Sequence, residues 1–304
     1  MHIPESIEKI ALKIPLIRSY FRMRKFYNHW SRFVPPGHFY SPIPSDEDVE
    51  RCTKSRSALG ENSGLALNLE GQKDLVVSLA RHYREIPFQA QPAGNLRYYY
   101  ENIYFSYPDA IFLHLLIRQL KPRQIVEVGS GFSSAVMLDT VERFQDDGVR
   151  LTFIEPYPGR LRSLLRAEDA KRCTIVEKTV QNADLNLFTA LEAGDILFID
   201  SSHVSKAGSD VNYLLFEIFP RLKPGVWIHI HDIFSGFEYP DAWLKEGRAW
   251  NEDYIIRAFL QFNDSFEITL HGAHCIDRHR SWFQENMPDC LKNSCGSLWF
   301  RRKK

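Results

Sequence analysis

The chain has no surplus of either charge: 38 Lys and Arg stand against 38 Asp and Glu in 304 residues. Without a net field it lacks the electrostatic footprint of a polyanion binder, so no nucleic acid partner is expected. Sulfur is scarce, with four Met and five Cys. The odd, scattered set of Cys52, Cys173, Cys275, Cys290 and Cys295 does not read as a disulfide framework, which fits a reducing cytoplasm. No apolar run approaches the roughly 18 residues of a membrane span. The N-terminus shows no cleavable signal pattern, and no internal repeat is visible. What is present is a chain 44% hydrophobic, with 21 Phe, long enough to bury a substantial core.

Charge is uneven at the start. The first 34 residues carry seven Lys or Arg against two Glu, with Ile3, Ile7, Ile10, Ile14, Ile17 and Phe21 at steps of three and four. That spacing predicts an amphipathic helix, kinked or divided at Pro15. The stripe is expected to dock on the chain's own core. Weak membrane-surface contact through residues 1–34, or a homo-oligomer contact, is the other use of such a face. The Pro-rich crossing "PPGHFYSPIP" and a mostly helical stretch follow, and residues 1–95 are taken as an N-terminal helical cap.

From about residue 106 short apolar strands alternate with helices: "QIVEVG", "RLTFIEP", "CTIVEKTV", "DILFID" and "VWIHIHD". The pattern predicts an α/β fold over residues 96–304, a Rossmann-like doubly wound, mostly parallel sheet. "FEITLHG" and "GSLWFRR" are expected to form an antiparallel pair at its edge.

Ligands of such sheets bind beyond the carboxyl ends of the strands. The first strand runs into Glu127, Gly129, Ser130 and Gly131, with Ser133 entering a helix. Glycines allow close backbone approach, and a helix start offers free N–H groups. "GSGFSS" lacks the third glycine of the dinucleotide fingerprint, which favours a cofactor without a pyrophosphate. Glu127 agrees, since an acid there repels a diphosphate and welcomes a sulfonium or an amino group. Glu155 ends the second strand, where a carboxylate suits a ribose diol.

"IVEVGSGFSS", "FIEPYP", "ILFIDSSHV" and "RLKPGVWIHIHDIF" together resemble the class I S-adenosylmethionine-dependent methyltransferases, nearest the branch labelled methyltransferase domain 24. The resemblance covers residues 96–304. It implies that Glu127, Gly129, Ser130 and Gly131 line the methionine and ribose side of the cofactor and that Glu155 binds the ribose. Val180, Gln181 and Asn182 would border adenine.

Asp200 and Asp232 end neighbouring strands, with His203 three residues beyond the first and His231 just before the second. Their convergence predicts an acceptor site, and Asp200, His231 and Asp232 are candidate ligands for a divalent metal. Metal-dependent relatives of the catechol and macrolide-sugar types carry an Asp-Asp or Asp-Asn pair where this chain has His231-Asp232, which suits Mn, Fe or Zn better than Mg. His203 resembles the general base of the macrolide-sugar enzymes, and methyl transfer to a hydroxyl does need a proton acceptor. His229, deeper on the same strand, is expected to be a buried, hydrogen-bonded structural histidine. Trp250, Glu252 and Tyr254 are expected at the acceptor pocket, Tyr104 and Tyr107 over the cofactor, and His38 and Tyr40 in a lid. The six His and Cys between His271 and Cys295 read as packing, because they lack paired-knuckle spacing.

The function expected is O-methylation of a polar small molecule, a sugar or natural-product hydroxyl, with or without metal assistance. Other readings are an N- or carboxyl-methyltransferase, a metal-dependent oxygenase-like enzyme, and a non-catalytic cofactor-binding or membrane-associated subunit.

Overall fold

The structure is a computed structural model that describes residues 15–20, 22–23, 33–54, 64–145 and 148–304. Most of the basic Ile-striped segment lies outside the described residues. Among them, no helix is long and apolar enough to cross a membrane.

Contacts divide the chain into two units. The smaller comprises Met1–Arg56 with Asp241–Ala249. In it helix α1 (Asp46–Lys54) has three acids in its first turn and bases in its last, matched to the helix dipole. Ser45 and Asp48 hydrogen-bond each other at its start. The larger unit is Ser57–Pro240 with Trp250–Lys304, and it includes helix α2 (Leu69–Leu79) from the stretch assigned to the cap. Gln72 on α2 donates to Leu67 O and accepts from His271 N, while Val76 and Leu79 enter the core.

The larger unit is built on seven strands: β1 (Gln124–Val128), β2 (Arg150–Ile154), β3 (Cys173–Val176), β4 (Ile196–Ile199), β5 (Trp227–Ile230), β6 (Phe266–His271) and β7 (Leu298–Arg302). Their order is β3-β2-β1-β4-β5-β7-β6. The first five are parallel. β7 slots between β5 and β6 antiparallel to both, so the expected edge pair forms with β7 as its inner member. β1, β4 and β5 read as near-continuous apolar runs because both sheet faces are covered.

The period of two sorts residues between the two cores. Ile125, Ile196, Phe198, Trp227 and Trp299 face one side with helix α3 (Tyr107–Leu120) and helix α4 (Phe132–Phe144). Val126, Leu197, Ile199, Ile228, Ile230 and Phe300 face the other. His229 alternates with Ile228 and Ile230, which turns it toward the first core. It stacks on Phe198 with centroids 4.0 Å apart and lies 4.6 Å from Trp299. It is fully buried, and neither ring nitrogen has a hydrogen-bond partner, so the expected bond is missing. Burial first, then His231, holds its pKa well below the ordinary value, so it packs as a neutral ring.

Candidate active site

The strand order reverses between β1 and β4, which opens a crevice at their carboxyl ends. Gly129 there has φ +80°, and a Cβ on it would stand 1.7 Å from the carbonyl oxygen of Asp200. Only glycine lets the two strand ends come so close. Gly129 N donates to Ile154 O at 3.0 Å, and Asp200 N to Val128 O at 2.9 Å, so the turn is fixed to both neighbouring strands.

Glu127 lies beneath this turn. It is fully buried and accepts from Ser133 Oγ at 2.5 Å and from Ser134 Oγ, while Ser134 Oγ accepts from Gly131 N at 3.0 Å. Burial pushes its carboxyl up to about 8 against the pull of these hydroxyls. Glu127 and Ser133, expected at the cofactor, are buried in this hydrogen-bonded set behind the glycine turn. Ser130 joins the turn through its N–H, which donates to Glu155 Oε2 at 3.1 Å.

A cavity of about 430 Å³ opens above the turn, walled by Gly129, Glu155, Val180, Gln181 and Asp200 among others. Glu155 also accepts from Tyr157 N at 2.8 Å, so its carboxylate is held in place with lone pairs left for two hydroxyls. Gln181 Nε2 donates to Gly208 O at 2.9 Å, while its Oε1 is buried with no partner. A buried acceptor left unpaired is costly, and an amino group on a ligand would satisfy it. Diol acceptor, orphaned amide oxygen and glycine approach together fit a nucleoside. Asn182 is not on the wall; it donates to Thr179 Oγ1.

Asp200 belongs both to this cavity and to a charged cluster. His203 Nε2 is 3.4 Å from Asp200 Oδ1 and 3.6 Å from Asp232 Oδ2, and its Nδ1 is 2.9 Å from Glu252 Oε2. His231 Nε2 is 3.6 Å from Asp232 Oδ1. All four residues expected to carry the chemistry therefore meet, with Glu252 as a fifth. The segment after β4 is tied to residues 251–252: Asn251 N and Glu252 N donate to His203 O, and Ser205 N donates to Asn251 Oδ1. Glu252 opens helix α5 (Glu252–Leu260) and is buried. Trp250 lays its ring 4.5 Å from the His203 ring. Sequence reasoning placed Glu252 and Trp250 at the acceptor pocket but did not pair Glu252 with His203. An acid at a helix start near a predicted base was the available signal.

Backbone strain sits here too. His203 and Asp232 have φ of +59° and +58°, a region that non-glycine residues seldom occupy. Gly296 makes the second possible: a Cβ on it would lie 3.1 Å from Asp232 N, Cα and Oδ1.

Burial alone would depress the His203 pKa, but Asp200 and Glu252 raise it well above the ordinary value. His231 is likewise raised, against burial, by Asp232 and Asp200. Burial lifts Asp232 and Glu252, whereas the imidazoles outweigh burial at Asp200 and hold it below the usual carboxylate range.

The expected metal set, Asp200, His231 and Asp232, is brought to one place without forming a coordination shell. Among the described residues no group of three His, Cys, Asp or Glu is placed to hold one ion. His203 Nε2 stands against both carboxylates, at 3.4 Å from Asp200 Oδ1 and 3.6 Å from Asp232 Oδ2. These residues do not fit a resident divalent ion as arranged. Of the tyrosines expected over the cofactor, Tyr104 stacks near Phe132, while Tyr107 is buried against Tyr100 and bonds Glu101. Tyr254 donates to Glu238 at 2.6 Å. His38 and Tyr40 lie in the smaller unit.

The family model of a methyltransferase domain matches residues 126–233. An uncharacterized protein of Archaeoglobus fulgidus is 33% identical over 168 residues, which is 53% of this chain and 75% of that protein. Among solved structures, the SAH-bound methyltransferase PaMTH1 of Podospora anserina is 15% identical, with a TM-score of 0.42 and coverage of 86% of this chain and 97% of that one. The SAM-bound O-methyltransferase TomG of Streptomyces achromogenes, involved in tomaymycin synthesis, gives the same figures.

Proposed function

The chain belongs to the class I S-adenosylmethionine-dependent methyltransferases, in the methyltransferase domain 24 branch, and from that premise we propose that it methylates a hydroxyl of a polar small molecule, with His203 as proton acceptor. One observation carries the reading. Asp200 lines the cavity that fits a nucleoside and lies 3.4 Å from His203, whose other nitrogen meets Glu252, which supports His203 as a proton acceptor beside that cavity.

The bound cofactor supplies an electrophilic methyl group on a sulfonium. The chain's part is to position an oxygen in line with it and to remove that oxygen's proton. Glu252 fixes the His203 ring through Nδ1 and leaves Nε2 turned toward Asp200 and Asp232. Asp200 and Glu252 favour the charged imidazole, raising its pKa against the effect of burial. Transfer would start from the neutral imidazole: Nε2 accepts the hydroxyl proton, and Asp200 and Asp232 stabilise the imidazolium that forms. Trp250 offers a flat wall for a sugar or aromatic ring beside the base.

The test is incubation with cofactor labelled in its methyl group and a panel of sugars and hydroxylated scaffolds. The expected product carries label that resists mild alkali and is formed equally with and without a chelator. Alkali-labile label would mean carboxyl methylation, and loss of activity on chelation would bring a metal back into the mechanism.

A further inference from the structure

Arg160 is a cation the mechanism above does not use. It sits in the first turn of the short helix Gly159–Leu164 that follows β2 and the Glu155 turn. Its guanidinium carbon lies 3.6 Å from the centroid of the Tyr104 ring, a stacked cation–π contact. Tyr104 is in turn stacked on Phe132, with centroids 5.9 Å apart and planes 19° from parallel. The side chain crosses over the glycine turn: a Cβ on Gly131 would meet Arg160 Cδ at 3.2 Å and Nη1 at 3.9 Å. Its charge also reaches Asp200, as one of the groups that hold that carboxyl low. Among the described residues no carboxylate forms an ion pair with Arg160. Arg162, two residues along the same helix, is by contrast paired with Glu177.

We propose that Arg160, held against Tyr104, binds the α-carboxylate of the cofactor's amino-acid portion. This rests on the methyltransferase reading. A nucleoside seated against Glu155 and Gln181 would have Gly129 beside it on the same wall, and Gly131, over which Arg160 lies, is two residues further along the turn. The planar fork of a guanidinium matches a carboxylate, and stacking on Tyr104 fixes that fork in advance. A side chain at 131 would push against the arginine where it crosses the turn. Arg160 is a positioning residue: by anchoring the tail it sets where the sulfonium stands relative to Asp200.

The experiment measures binding by calorimetry to the intact protein and to R160A and R160K, with three probes. S-adenosylmethionine has the carboxylate, its decarboxylated analogue lacks only that group, and 5′-methylthioadenosine lacks the whole tail. The expected result is about a tenfold or greater loss of S-adenosylmethionine affinity in R160A, the scale of one charged hydrogen bond. Affinity for the two probes without a carboxylate should be unchanged, and R160K should recover part of the loss. Equal weakening toward all three probes would overturn the proposal by making Arg160 a mere support of the turn, and so would no change at all. If the wild-type protein binds none of the three, it is the cofactor reading that fails.

Discussion

Two clusters of buried charge in this protein are built on opposite plans. In one, Arg97 is gripped by three carboxylates: Nε and Nη2 by Asp169 at 2.9 and 2.5 Å, and Nη1 by Asp139 at 2.7 Å and Glu142 at 2.6 Å. Asp139 also accepts from the backbone of Arg97 and Tyr98, so the extended segment before α3 is fixed to α4. In the other, His203 meets Asp200 and Asp232 at 3.4 and 3.6 Å, and only Glu252 at true hydrogen-bond distance. The first has a cation that never discharges and no slack between partners. The second has a cation that titrates, looser contacts, and two residues in strained backbone. Tight pairing with a permanent charge makes a clasp, and loose pairing with a titratable one leaves a proton free to move.

The largest effect expected from breaking this contrast is on turnover. H203A should lower the methyl-transfer rate by about 10²- to 10⁴-fold, the range of a general base. Its cofactor affinity should stay near wild type, and its stability should fall by less than the loss of Arg97 brings, because only Glu252 loses a close partner. A rate loss matched by a collapse of stability would put His203 in the class of Arg97.

R97A should do the reverse. Removing one partner of a buried ion cluster strands the others, at a cost of about 3–5 kcal/mol. Denaturant unfolding reads this directly, and any variant protein that remains folded should keep its cofactor affinity. An R97A protein as stable as wild type would show that the cluster does no holding.

E252Q should fall between, with about a 10- to 100-fold loss of rate as part of the base's contribution, because Gln keeps the contact but not the charge that orients and loads the imidazole. A pH profile separates it from a packing defect: without Glu252 the imidazole pKa drops, so activity should begin at lower pH than in wild type. An unshifted profile would count against the pairing.

The second cluster was largely legible in the sequence and the first was not. Asp200, His203, His231 and Asp232 all sit at the ends of apolar strands, and parallel strands bring their carboxyl ends to one edge, so periodicity alone places them together. Glu155 and the glycine turn follow from the same rule. Arg97 contacts Asp169, 72 residues away, in a 3-10 turn with no strand periodicity to locate it. Glu252 was visible as a pocket residue, but its bond to His203 depends on how the chain from β5 returns to the site. Glu127's position beside the turn was readable, but its two serine hydroxyl partners depend on how the following helix starts, which a strand's period of two does not reveal.

Glu127 supplies the smallest effect and a third case, a buried carboxylate with hydroxyl partners and no cation. Its carboxyl is raised from 4.5 to about 8, so the folded chain keeps a proton that the unfolded chain releases. The stability this gives is complete below about pH 4.5, drains away as pH rises toward 8, and is absent above it. E127Q presents the same shape without a charge to form. It should match wild type at pH 4 and exceed it by about 1–2 kcal/mol above pH 8, part of the linkage gain being lost as the serine hydroxyls turn to face an amide. Unfolding by denaturant at a series of pH values measures the difference. A gap that did not grow between pH 4.5 and 8 would mean Glu127 is ionised in the fold, held by partners as firmly as the carboxylates around Arg97.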